Sequence, residues 1–341
     1  MSGILVPFKD AERAKQALKR KGHYDPSFLP KATREGIVLP AHPGALPLLR
    51  KEVRSAARWV GSLKAKAKHD IKESLSSAFT KKELSQLKTA HDVIGSIAIL
   101  EIDRSLRKKK MALAKAIMAQ NNAITTVLMK QGGHKGDFRT QKLGFVAGKR
   151  TKETEHRENG VRMLLDVEKV YFSPRLANER ARIAQQVKPG ERILVLFSGC
   201  APYILVIAKH SGAKEIVGVE INPAGHSYAL KNVQLNKLGN VKLFCGDARK
   251  VAPSLGRFDR VLMPLPKGGE DFLGIALAAA KKGAVVHFYD FLNEKDIPSG
   301  AEQKVMAAAK KARRQVKLLQ TVRCGQQKAY VFRTCTDFVA Q

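Results

Sequence analysis

The sequence predicts an α/β protein whose C-terminal half is a mostly parallel sheet with a ligand site along its carboxyl edge. Three observations carry this. Four apolar runs follow one another, Ile193–Phe197, Ile216–Val219, Val241–Phe244 and Arg260–Met263, each of strand length. Each run leads into residues suited to holding a ligand: Ser198-Gly199-Cys200-Ala201, Glu220, Gly246-Asp247-Ala248-Arg249 and Pro264-Leu265-Pro266. Glu220 lies twenty-one residues beyond Gly199, the order expected of a small-residue turn followed by a strand-end carboxylate. In open α/β sheets the carboxyl edge is where cofactors sit.

The chemistry differs by position. A glycine at the first turn lets backbone approach a ligand with no Cβ in the way. A carboxylate ending the second strand can accept from both hydroxyls of a ribose, so Glu220 suits a nucleoside. A redox dinucleotide would call for G-x-G-x-x-G around its pyrophosphate, and only Gly199 is present here. S-adenosylmethionine has no phosphate and suits a single close turn. The expected cofactor contacts are Phe197, Ser198, Gly199, Cys200, Ala201, Glu220, Ile221, Asp247, Ala248 and Pro264. Gly199 or Glu220 alone could merely end a strand; the ordered set of four is what points to a site.

Upstream, Gly3–Phe8 reads as a short strand, Asp10 as the cap of a helix running to about Arg20, and Gly36–Leu39 as a second strand. The proline and glycine density of His42-Pro43-Gly44-Ala45-Leu46-Pro47 marks a linker. This defines a small N-terminal α+β domain, 1–45. A middle α+β domain, 50–170, opens with a basic helix-prone stretch, Leu49–Lys68. It continues with strands over Val93–Ile102, Asn122–Met129 and Arg162–Val167 and a helix over Lys110–Gln120. The catalytic domain, 171–341, is entered by a helix over Leu176–Val187. It closes with a strand over Ala284–Tyr289 and a terminal pair, about Gln315–Arg323 and Ala329–Val339.

Charge narrows the partner. The chain of 341 residues has 62 Lys and Arg against 30 Asp and Glu, a net charge of +32. The excess divides into +18 over residues 1–170 and +14 over 171–341, so it is spread through the body of the chain. That pattern favours a polyanion touching several domains, nucleic acid first and an anionic membrane second. The run Arg104–Lys110, five basic residues in seven, suits either an RNA-lining face or a solvated helix start. The four cysteines, Cys200, Cys245, Cys324 and Cys335, form no Cys-x-x-Cys pair, so no metal site or disulfide framework is expected. Cys200 and Cys245 are expected to be small buried thiols. No apolar run reaches membrane-spanning length, and a soluble, cytoplasmic monomer is expected.

Tyr171-Phe172-Ser173-Pro174-Arg175-Leu176-Ala177-Asn178-Glu179-Arg180 resembles the Y-F-S-P-R-L-x-x-E-R signature of the archaeal and eukaryotic tRNA (guanine-37-N1) methyltransferase family. Gly136-Asp137-Phe138-Arg139 resembles its G-x-x-R element, and Thr154–Gly160 the turn that follows. The resemblance covers nearly the whole chain. It implies a class I, Rossmann-like methyltransferase sheet, S-adenosylmethionine as cofactor, and tRNA bound at its anticodon loop and outer corner. There are departures. Val195 stands where the family usually has an acidic residue, Gly199-Cys200-Ala201 where it has Gly-x-Gly, and Pro264 where it has asparagine.

The resemblance also assigns roles. Guanine N1 carries a proton at neutral pH, so methylation there needs a general base, and Glu179 matches the family's. Arg175 and Arg180 flank it. Arg139 is implied as the donor to guanine O6 as charge develops there. Tyr171 and Pro266 are implied to border the target-base pocket. Because N1 lies on the Watson–Crick edge, the base must leave its stack to be reached.

Overall fold

The computed structural model describes all residues except 1, 29, 43, 53–56, 64–70, 88 and 135; among the remainder, the side chains of 2, 9, 51, 52 and 62 are also undescribed. The chain divides into two compact units, Met1–Glu73 and Ser74–Gln341.

In the first unit, β1 (Ser2–Val6), β2 (Lys31–Ala32), β3 (Ile37–Pro40) and β4 (Arg58–Ser62) form an antiparallel sheet in the order β2-β3-β1-β4. The helix Ala11–Arg20 lays Ala14, Ala17 and Leu18 against Ile4, Val6 and Leu39. Asp10 precedes that helix as expected, but its carboxylate makes no capping bond. The expected boundary at residue 45 falls short. A helix begins at Ala45 inside the expected linker and ends at Glu52, and Arg58–Ser62 is a strand, not a continuation of a helix over Leu49–Lys68. The open edge of β1 supplies backbone partners there, and Trp59 and Val60 are residues that strands favour. Residues 53–56 and 64–68 of the expected helix, and Pro43, lie outside the described residues.

The second unit opens with a mixed sheet of β5 (His91–Ile94), β6 (Ile97–Leu100), β7 (Thr126–Lys130) and β8 (Leu143–Gly148). The single strand expected over Val93–Ile102 is two, because Gly95 takes a left-handed φ of +55° and turns the chain. The strand expected from Asn122 begins at Thr126, after a turn. Strand β8 was not expected; its apolar residues are irregularly spaced along Leu143–Gly148. The helix Lys110–Gln120 falls where expected, with its basic lead-in coiled as a 3-10 turn, Arg104–Lys109.

A hairpin, β9 (Glu153–Glu158) and β10 (Val161–Asp166), joins this sheet to the next. The next sheet has seven strands: β11 (Arg192–Leu196), β12 (Glu215–Glu220), β13 (Val241–Cys245), β14 (Phe258–Met263), β15 (Ala280–Asn293), β16 (Val316–Lys328) and β17 (Val331–Ala340). Their order is β13-β12-β11-β14-β15-β17-β16, the first five parallel and β17 antiparallel to both neighbours. This is the class I methyltransferase sheet expected from the sequence. Alternation sets its two faces. Leu194, Leu196, Val217 and Val219 face the helices Leu273–Ala279 and Ser299–Lys311. Ile193, Val195 and Ile216 face the helices Ala177–Gln186 and Pro202–His210.

The hairpin is fastened to the sheet by Asn232 on the helix Pro223–Leu235 and Asn236 at its C-cap. Asn232, fully buried, accepts from Leu164 N at 2.7 Å and donates to the carbonyls of Leu164 and Cys200 at 3.0 and 3.1 Å. Asn236 holds Arg162 N and O the same way, at 3.0 and 2.7 Å. A side-chain amide that supplies both an acceptor and a donor can close the open edge of β10 as a neighbouring strand would.

Candidate active site

Register brings the predicted strand ends together. Val195 pairs with Leu262 and Leu196 with Val219, while Glu220 pairs with Cys245. Ser198 N donates to Val219 O, and Gly246 N to Glu220 O. The segments Phe197–Ala201, Glu220–Ile221, Asp247–Ala248 and the start of the Pro264 loop therefore share one edge.

The first turn is tightly wound. Phe197, Gly199 and Ala201 take φ values of +57°, +56° and +71°. A left-handed conformation costs a residue with a Cβ roughly 1–2 kcal/mol, and such residues concentrate where a ligand needs the backbone. Ala201 occupies the place of the family's second glycine and bears this cost. A Cβ built on Gly199 would meet nothing closer than Tyr171 O at 3.8 Å, so the turn leaves open space beside Tyr171. Cys200 is fully buried, and burial pushes its thiol up to about 12, so it packs and stays protonated. Cys245, against expectation, is exposed on the edge strand.

Glu220 is buried, and its two carboxylate oxygens accept from Gly199 N at 2.6 Å and Asn222 N at 2.7 Å. It thus ties the first turn to the helix that follows β12. Burial raises its pKa above the usual glutamate range despite bonds from the amides of Asn222, Gly199 and Ile221. Each oxygen still has a second lone pair with which to accept from a ribose hydroxyl. Ile221 beside it is 37% exposed, an apolar wall for an adenine. Asp247 caps the turn Ala248–Val251 through Arg249 N, and the Arg249 side chain grips it, holding its carboxyl below the usual range. Arg249 also covers Phe272, which packs edge-on against Phe197 at 4.8 Å. A carboxylate for a ribose, an apolar wall and a close backbone turn are what a nucleoside cofactor without phosphate requires, and these residues fit S-adenosylmethionine.

A second cluster sits at the neighbouring ends of β14 and β15. Arg139, itself left-handed at φ +51°, donates to the Lys267 carbonyl. This draws the turn around Arg139 onto the segment after Pro264 and Pro266. The Arg139 carbonyl bonds the His134 ring, which meets Tyr171 edge-on at 5.2 Å. Pro266 is buried, and its carbonyl accepts from Phe291 N at 3.1 Å. Tyr171, Arg139, Pro264 and Pro266, far apart in sequence, are thereby gathered at one place.

The surroundings of Glu179 differ from the expectation. Arg175 reaches away to Asp92 at 2.8 Å and is 61% exposed along its side chain. Arg180 is buried, paired with Glu158 and bonded to Ser173 O, with Phe172 packed on its guanidinium. Arg180, one residue on from Glu179, points in a different direction along the helix, and Arg175 lies in the 3-10 turn Pro174–Leu176 before the helix begins. The partner of Glu179 is Arg182, whose Nε and Nη2 each donate at 2.7 Å, and Tyr289 donates its hydroxyl at 2.6 Å. Arg182 also reaches Asp337 at 2.7 Å. Asp337 in turn accepts from His287, and His287 from Arg260, which forks onto Glu191. Burial, with Arg260 and Arg182 nearby, holds the His287 pKa below its usual value although Asp337 opposes this. His287, Cys335 and Asp337 lie close enough to hold a metal ion, but both ring nitrogens of His287 are already bonded, to Arg260 and Asp337.

Sequence reasoning missed Arg182, Tyr289, Asn232 and Arg333. The last donates to the Tyr171 hydroxyl at 2.7 Å and stacks on Phe291 at 5.2 Å. No local signal marks these residues. Phe291–Arg333, Tyr289–Cys335 and His287–Asp337 become neighbours only through the pairing of β15 with β17.

Comparison with known proteins agrees with this geometry. Residues 154–319 match the model of the TRM5/TYW2 methyltransferase domain, and residues 71–151 that of the TYW2 N-terminal domain. The tRNA (guanine(37)-N(1))-methyltransferase Trm5b of Pyrococcus abyssi is 35% identical over 294 residues, 86% of this chain and 85% of that protein. Its crystal structure superposes with a TM-score of 0.73 at 30% identity, over 100% of this chain and 99% of that one. A complex of aTrm5 with tRNALeu gives 0.69 at 25% identity, covering 99% of both chains. Pyrococcus horikoshii TYW2 in complex with MeSAdo gives 0.66 at 27%, over 79% of this chain and 97% of that one. On the strength of the shared sheet, the matched domain and the extent of these likenesses, the chain belongs to the TRM5/TYW2 methyltransferase family.

Proposed function

We propose that the protein transfers a methyl group from S-adenosylmethionine to N1 of guanosine 37 in tRNA. One observation carries this: the nucleoside-type edge of β11–β13 lies beside a cluster in which Arg139, Tyr171 and Pro266 converge from three segments. The cofactor, when bound, supplies an electrophilic methyl group. Phe197–Ala201, Glu220, Ile221 and Asp247–Ala248 hold it, with Pro264 at the border between the two clusters. Arg139 is permanently charged and suits the negative charge that develops on O6 as N1 loses its proton. Tyr171 and Pro266 border the displaced base.

Glu179 is the proton acceptor in this scheme. It follows Tyr171 by eight residues on the entering helix and carries a buried carboxylate bonded to Arg182 and Tyr289. To take the N1 proton it exchanges one of those bonds for the base. Arg175 is the exposed arginine of the motif, free at its remaining nitrogens to meet RNA; Arg180 positions the Tyr171–Ser173 segment through Ser173 O.

A second reading keeps fold and cofactor but changes the acceptor to a wyosine-type guanosine derivative at the same position. Two observations favour it: Pro264 replaces the asparagine, and the middle region matches a TYW2 N-terminal domain. The test is incubation with unmodified tRNA transcripts and with tRNA carrying the tricyclic base, using labelled S-adenosylmethionine, followed by nucleoside identification. Label in 1-methylguanosine at position 37 is the expected product. Label only in the tricyclic nucleoside, or transfer of the aminocarboxypropyl arm, replaces the first reading with the second.

A further inference from the structure

Three arginines packed around the seven-stranded sheet are matched by carboxylates: Arg180 by Glu158, Arg182 by Glu179 and Asp337, Arg260 by Glu191. Arg333 is not. It is half-buried, its Nη2 is spent on the neutral Tyr171 hydroxyl, one face of its guanidinium is covered by Phe291, and its Nε is shut off from solvent with no acceptor. No ion pair involves it among the described residues. A guanidinium does not lose its charge by titration, and an enclosed charge without a counter-charge is unfavourable unless a ligand provides one. Its position is set by sheet register. Facing residues recur every second position, so Phe291–Arg333 lies one step beyond Tyr289–Cys335, towards the carboxyl edge where Tyr171 and Pro266 meet.

We infer that Arg333 is a further substrate-binding residue of this site and takes the phosphate flanking the target nucleotide. This rests on the proposed RNA-modifying function but not on which atom is methylated. A planar fork of donors matches two phosphate oxygens. A nucleobase edge offers a mixture of donors and acceptors, which a donor-only group matches less well. The bond to Tyr171 also couples the phosphate contact to the ring that borders the base.

The test is a thermodynamic cycle at whichever nucleotide the wild-type enzyme is found to methylate. Arg333→Ala is combined with tRNA bearing an uncharged methylphosphonate linkage on the 5′ or the 3′ side of that nucleotide. Arg333→Ala is expected to weaken tRNA binding about 10- to 100-fold. It should also reduce the slope of log K against log salt by about 0.7–0.9. At one of the two linkages the methylphosphonate is expected to weaken wild type equally and to add nothing to the variant. Arg333→Lys, which keeps the charge and guards against a folding defect, should retain the wild-type salt slope. Additive losses at both linkages would overturn the inference, as would an Arg333→Ala loss that disappears in a Tyr171→Phe background, since that would make Arg333 a support for Tyr171 alone. A wild type that methylates a different nucleoside while the cycle stays non-additive would remove the guanosine assignment and leave this one standing.

Discussion

Replacing Glu179 by glutamine separates the chemical part of this residue from its part in the fold. The side chain is 3% exposed and accepts three hydrogen bonds, two from Arg182 and one from Tyr289. Glutamine keeps one acceptor oxygen but turns an NH2 group towards donors. Arg182 retains Asp337 at 2.7 Å, so the guanidinium is not left unpaired. Losing roughly one charge-assisted bond costs about 2–3 kcal/mol on the usual scale for bonds to charged groups. For a unit of this size that lowers Tm by about 4–12 °C, which leaves a folded enzyme to assay well below the transition. If Glu179 removes the N1 proton, single-turnover methylation at pH 7 falls by about 10²–10⁴, with cofactor and tRNA affinity near wild type. Raising the pH recovers part of the rate, because solution deprotonation of N1 substitutes for the missing base. Arg139→Ala also slows the chemical step but shows no such recovery, because it removes charge stabilisation and leaves proton removal intact. Arg182→Met provides the control, since it disturbs the same network while keeping the carboxylate. A Glu179→Gln enzyme that methylates at the wild-type rate, or whose loss is matched by Arg182→Met with no pH recovery, would refute the assignment and make Glu179 a structural ion-pair partner.

Glu220→Ala removes the acceptor for Gly199 and Asn222 amides as well as for the ribose, and calorimetric titration should show S-adenosylmethionine binding weakened by about 1–3 kcal/mol with tRNA affinity unchanged. Asn232→Ala leaves Leu164 N–H and two carbonyls without partners; chemical denaturation should show a loss of about 2–4 kcal/mol, and a wild-type midpoint would contradict the role given to this residue. His287 has its pKa depressed by burial. The unfolded chain therefore takes up a proton below about pH 6.5 that the folded protein refuses, and stability falls as pH is lowered from 7 towards 5, by at most about 1.4 kcal/mol per pH unit. His287→Asn should flatten that part of the Tm–pH curve, and an unchanged slope would exclude His287 as its source. Deleting residues 1–73, the whole first unit, should weaken full-length tRNA more than an isolated anticodon stem-loop in a filter-binding assay; equal losses would count against an outer-corner contact.

The parallel core, and the carboxyl edge on which the candidate cofactor residues fall, were legible from the chain because their signals are local. Each strand from β11 to β14 carries a short, mainly apolar run, and each candidate ligand segment follows its strand directly, so Gly199, Glu220 and Asp247 could be placed on one edge from order alone. The decapeptide from Tyr171 pointed to the family for the same reason. Signals that depend on pairing were not legible. Arg58–Ser62 became a strand because β1 had an open edge, and Asn232 became a clasp because β10 had one. Sequence adjacency suggested Arg175 and Arg180 as the neighbours of Glu179; in the fold Arg175, in the turn before the helix, meets Asp92, Arg180 meets Glu158, and the i,i+3 spacing along the helix gives Glu179 to Arg182 instead. Arg333 is 162 residues from Tyr171 and reaches it only because β17 runs antiparallel beside β15. Local pattern determined which strands exist and which turns could hold a nucleoside. Which charges meet was decided by register and burial, because an ion pair between distant residues leaves no periodicity in the chain, and only the folded sheet brings the two groups out of water together.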